Sequence, residues 1–146
     1  MITIQNKQTA VAIDTPHLRK DARRVLKLLD YSDYDLAICL VNNSAIQQYN
    51  REYRHKDEPT DILSFPFHQL APGERIQPKT EEDKNLGDLI ISLEFVHAQH
   101  ADHFYPRMQK LLVHGVCHLL GHDHDTPETD AIMLELEKFL LEKLTK

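Results

Sequence analysis

The sequence predicts an α+β fold in which one small mixed β-sheet is covered by helices, and three observations carry that prediction. Short runs rich in Ile, Leu and Val recur along the chain at residues 2–4, 34–41, 62–67 and 86–93. Between and after them lie segments whose apolar residues return every three or four positions, the period of an amphipathic helix. No internal repeat or linker interrupts the succession, so residues 1–146 are expected to form a single domain.

The elements follow in order. Ile2-Thr3-Ile4 reads as a first strand, and Thr15-Pro16 as an N-cap followed by proline in the first helical position. Leu18, Ala22, Val25, Leu26 and Leu29 then form one helical face, with Arg19, Lys20, Arg23, Arg24 and Lys27 on the others. Tyr34 to Val41 is the second strand, and Asn43 or Ser44 caps a helix carrying Ile46, Tyr49 and Tyr53. Ile62 to Phe67 is the third strand; Pro66 cannot donate to a ladder, which points to a sheet edge. Residues 68–85 are polar and aperiodic and read as a mobile loop. Leu86 to Leu93 is the last strand, ahead of helices near 94–103 and from Tyr105 to Leu120. Gly121 ends the second of these, and Thr126-Pro127 opens a final helix striped by Ile132, Met133, Leu136, Phe139 and Leu140.

Composition narrows the class. With 41% hydrophobic and 27% charged residues, the chain has enough apolar side chains for a core and is not of disordered type. No stretch is apolar enough to span a bilayer, and the first residues lack the pattern of a leader, so a cytoplasmic protein without membrane association is expected. Cys39 and Cys117 lie far apart in apolar runs and read as buried small hydrophobes. The net charge of −6 argues against a wholly basic nucleic-acid binder. Residues 1–60 hold nine basic and eight acidic side chains and residues 61–146 eight and fifteen, so a phosphate-binding surface is expected mainly in the first part.

The strongest chemical signal is HGVCHLLGHDH, residues 114–124. Residues four apart on a helix are separated by about 40° and about 6 Å, so His114 and His118 can turn their rings to one ion. A third ligand from the next turn would face away. The chain must leave the helix and fold back, which Gly121 permits, and His124 follows three residues later. Ten histidines in this length produce the triplet by chance about 0.04 times, so the metal reading prevails. Three neutral imidazoles suit Zn²⁺, and accept other divalent transition metals, while leaving a coordination position open for hydrolytic chemistry. Metzincin proteases share part of this spacing, but Gly115 stands where they carry a glutamate base. That glycine leaves room either for substrate or for close approach of another helix.

HGVCHLLGHDH, together with YRHKDEPTDILSFPF at residues 53–67 and LGDLIIS at 86–92, resembles the YbeY family of bacterial endoribonucleases. The blocks stand in the family's order and span most of the chain. The resemblance implies a zinc-dependent, single-strand-specific endoribonuclease acting in ribosomal RNA processing, notably 3′-end maturation of the small-subunit RNA, and in ribosome quality control. Its implied partners are single-stranded ribosomal RNA, the small ribosomal subunit and assembly proteins. By the same blocks His114, His118 and His124 take the metal positions, and Arg54, with His114, the catalytic ones.

The remaining candidates are weighed individually. Arg54 can grip a phosphate through its planar guanidinium or serve only as a surface ion pair, and the family blocks favour the former. His122, where the family more often has tyrosine, reads as a partly exposed turn residue, and Asp123 as a turn stabiliser. Asp88 reads as fixing loop structure. His97, His100 and His103 drift around a helix and read as a solvated face rather than a second metal site. The rival functions are a peptide hydrolase and a non-catalytic, metal-containing ribosome assembly factor.

Overall fold

The computed structural model describes residues 1–145. Its centre is a four-stranded sheet of strands β1 (Ile2–Asn6), β2 (Asp35–Val41), β3 (Ile62–Pro66) and β4 (Asn85–Ser92), ordered β1-β2-β4-β3. The first three in that order run parallel, and β3 pairs antiparallel with β4 at one edge. The sheet is therefore mixed, and helices cover it as the alternating pattern predicts.

Among the described residues five α-helices surround it: α1 (Thr15–Leu28), α2 (Asn43–Arg54), α3 (Leu93–His100), α4 (Phe104–Leu119) and α5 (Pro127–Leu144). One core joins β-strand residues to α1, α3, α4 and α5, through Leu18, Leu26, Leu89, Leu112, Val116 and Met133 among others. On the opposite sheet face α2 makes a smaller cluster from Ile46 with Val41, Leu63 and Ile90. β4 is buried along nearly its whole length between these clusters, which accounts for its continuous apolar run. Asp88 is its exposed exception; it lies in the central strand opposite Ala37 and Phe65, not in a loop.

Local chemistry sets the boundaries. Asp14, rather than Thr15, caps α1 by accepting from the His17 amide, and Asn42, rather than Asn43 or Ser44, caps α2. The hydroxyl and amide competitors lie one residue inside, or two for Ser44, where a short polar side chain no longer reaches the free amides. Thr126 caps α5 with Pro127 behind it, as the sequence suggests. The predicted stripe on α5 needs correction: Met133 and Leu140 are buried, but Ile132 and Phe139 are 50% and 44% exposed. Leu136, Leu141 and Leu144 complete the inward face.

Candidate metal centre

Helix α4 delivers the first two histidines. His114 and His118 sit one turn apart with ring centroids 4.4 Å from each other, and their Nε2 atoms are separated by 3.0 Å. Gly121 then reverses the chain with φ of +90°, its amide still bonded to the His118 carbonyl. A Cβ there would meet the Leu70 carbonyl oxygen at 2.2 Å, so only glycine fits both the turn and the neighbouring loop. The return brings the His124 ring to 5.3 Å from His114 and 5.5 Å from His118. One nitrogen from each of the three rings lies within 4.8 Å of the others.

The outer nitrogens are already engaged. His118 Nδ1 donates to the His122 carbonyl at 2.9 Å, His124 Nδ1 to Asp130 at 2.6 Å, and His114 Nδ1 faces Glu137 at 3.3 Å. An acceptor opposite each Nδ1 holds the proton on that side and leaves the Nε2 lone pair free to bind a cation. Burial, reinforced by the neighbouring His114, pushes the pKa of His118 below the ordinary imidazole value. That shift favours the uncharged ring, the form able to bind a metal. Donor type, convergence and tautomer all fit a divalent transition metal.

His114 and His118 open onto a cavity of about 860 Å³ whose wall also includes Arg54, Arg107, Lys110 and Glu137. Arg54, the last residue of α2, reaches round the free edge of β3 and donates to the Ser64 carbonyl at 2.9 Å. Its guanidinium also lies over the Phe65 ring, 5.1 Å from the centroid. One side of its fork is thus anchored, and donors remain for an anion in the cavity. Arg107 is paired with Asp61 at 3.3 Å, whereas Lys110 has no carboxylate partner among the described residues. Two of the three cavity cations come from α4. Arg54 is the contribution of residues 1–60, where a phosphate-binding surface was expected, and α4 adds the other two by packing across β3.

The structure brings His114, His118, His124 and Arg54 together and rearranges the other candidates. Gly115 makes room for neither substrate nor another helix: its missing Cβ would meet Leu89 and Ile62 side chains at 2.7 and 2.9 Å, so it seats α4 against the sheet. His122 is 7% exposed rather than a partly exposed turn residue, and burial pushes its pKa down. Its contribution to the site comes through its backbone carbonyl. Asp123 accepts from the Asp125 amide and so stabilises the turn. His97 and His103 are exposed, and neither they nor His100 belong to a metal-binding group among the described residues.

Asp130 and Glu137 were not anticipated. They lie seven residues apart on α5, two turns of one face, and that polar pair on an otherwise apolar face is the signal that could have revealed them.

A family model described as Endoribonuclease YbeY matches residues 3–145. A human protein named Endoribonuclease YbeY is 37% identical, the match covering 98% of this chain and 87% of the relative. One of the same name from Carboxydothermus hydrogenoformans is 39% identical, over 99% of this chain and 97% of the relative. The solution structure of TM1509 from Thermotoga maritima superposes with a TM-score of 0.63, covering 99% of this chain and 89% of that one at 21% identity. That last likeness concerns the fold.

Proposed function

This chain belongs to the YbeY endoribonuclease family, and from that we propose that it is a zinc-dependent, single-strand-specific endoribonuclease of one catalytic domain. The observation that carries the reading is the convergence of three imidazoles, each held from behind, two of which line a cavity that also presents Arg54. His114, His118 and His124 would hold the ion. When bound, the ion supplies a Lewis acid beside the scissile phosphate and lowers the pKa of water there.

The protein's own groups do the rest. Arg54 binds a nonbridging phosphate oxygen with the donors not used on Ser64 and stabilises charge as it develops. Lys110 attracts the strand along α4. Glu137 and Asp130 keep the His114 and His124 rings in their binding orientation. Gly115 faces the sheet, so no base of the kind used by zinc peptidases stands at that helical position. The biological substrate we infer is ribosomal RNA, with processing of the small-subunit 3′ end and ribosome quality control as the setting. The protein acts in the cytoplasm beside the small subunit and its assembly proteins. No described helix is long and apolar enough to cross a membrane.

Single-stranded RNA and an unstructured polypeptide, each incubated with the metal-loaded protein and with His114→Ala and Arg54→Ala variants, test the reading. RNA cleavage lost in both variants is expected. Peptide cleavage, or tight binding to small subunits with no cleavage at all, would overturn it in favour of a peptidase or an assembly factor.

A further inference from the structure

A second cavity, of about 490 Å³, lies on the face of the sheet that α2 covers, in the size range of clefts that take small organic groups. Tyr49, Tyr53 and Phe65 wall it, Cys39 and Ile90 form part of its floor, and Lys7 and Asp88 supply polar groups. The Tyr53 ring stands edge-on to Phe65 at 5.3 Å and is nearly parallel to Tyr49 at 6.3 Å. Tyr53 remains 53% exposed, so its ring is not part of the packed interior.

Arg54 and Phe65 stand between this cavity and the metal site. The guanidinium lines the first cavity and covers the Phe65 ring, whose other neighbour is Tyr53, the residue preceding Arg54. A strand whose phosphate is held by Arg54 would carry an adjoining base over the β3 edge onto Tyr53. We propose that this cavity is a stacking site for one unpaired nucleobase next to the scissile phosphate. Aromatic rings accept any base by its π-face, and Lys7 and Asp88 offer a donor and an acceptor to its edge. A base within a duplex is stacked on both faces and cannot enter, so the site supplies a reason for acting on single strands. The proposal rests on the endoribonuclease reading.

Its test uses oligoribonucleotides with one abasic residue at successive positions around the cleaved bond, with metal-loaded wild type, Tyr53→Ala and Tyr53→Phe. Wild type should lose about tenfold in kcat/KM for an abasic residue at one position beside that bond. Tyr53→Ala should lose a similar factor on intact RNA, mainly in KM, and be indifferent to the abasic residue there. Tyr53→Phe should behave as wild type, and all three should melt alike. Normal cleavage by Tyr53→Ala overturns the stacking site alone, as does a loss that multiplies with the abasic loss at every position, even if this face captures a protein. A wild type inert toward RNA overturns the endoribonuclease reading, and the stacking site with it.

Discussion

Glu137 places a carboxylate oxygen 3.3 Å from Nδ1 of His114, joining the middle of α5 to a metal-facing ring 23 residues earlier. Such contacts fix ring orientation and raise ligand basicity, and their loss typically costs about 10- to 100-fold in metal affinity. Glu137→Ala should therefore weaken zinc binding by about that factor while the far-ultraviolet spectrum is retained, and Glu137→Gln should fall between. Competition against a chromophoric chelator measures it; unchanged affinity in both variants would remove Glu137 from the site.

Arg54 is expected to serve substrate binding and not metal binding. Arg54→Ala should lower kcat/KM on single-stranded RNA by about 10²- to 10³-fold, the usual effect of removing a donor aimed at developing charge. Arg54→Lys should recover little, because an ammonium cannot both anchor on Ser64 and present a fork to phosphate. Zinc stoichiometry by elemental analysis should stay at the wild-type value in both. Loss of metal would show that Arg54 acts through the histidines.

The two glycines of the histidine segment should respond differently to alanine. At Gly121 the new Cβ meets a backbone oxygen and φ is +90°, so Gly121→Ala should cost more than about 2 kcal/mol and displace His124, lowering metal affinity as well. At Gly115 it meets only the ends of Leu89 and Ile62 side chains. Repacking there costs about 1–3 kcal/mol, against about 1 kcal/mol gained in helix propensity, so a smaller net loss is expected. Urea unfolding of the two variants decides; equal losses would contradict the contrast.

Cysteine reactivity reports the burial of α4. Burial, and then the charge of Glu137, push the Cys117 thiol up to about 12, leaving about one thiolate in ten thousand at pH 8. Cys39 is also raised by burial but is only partly covered. Iodoacetamide at pH 8 should modify Cys39 slowly and Cys117 only after unfolding, as read by peptide mass spectrometry. Early modification of Cys117 would mean that α4 is less well packed than its side chains indicate.

Much of this was legible in the sequence because it depends on local periodicity. The spacing of His114 and His118 is a helical property, Gly121 marks the reversal, and Pro66 identifies β3 as the edge. What depends on rotation or tertiary contact was not. The face that α5 turns inward is chosen by docking on α4, which left Ile132 and Phe139 outside and brought Asp130 and Glu137 to the histidines. His122 was misread because turn residues are ordinarily solvated, whereas this turn is tucked against its own helix by the His122 amide bond to the Cys117 carbonyl.

The grip of Arg54 on the Ser64 carbonyl reaches beyond chemistry. Ser64 belongs to β3, whose outer side no described strand pairs, and an open strand of this kind is a template on which another chain can add itself. The same side chain that is proposed to bind the substrate therefore also covers part of that border. Replacing it should leave a protein that is both slower and more adhesive to its own copies, and the two defects should part company with dilution, which relieves only the second.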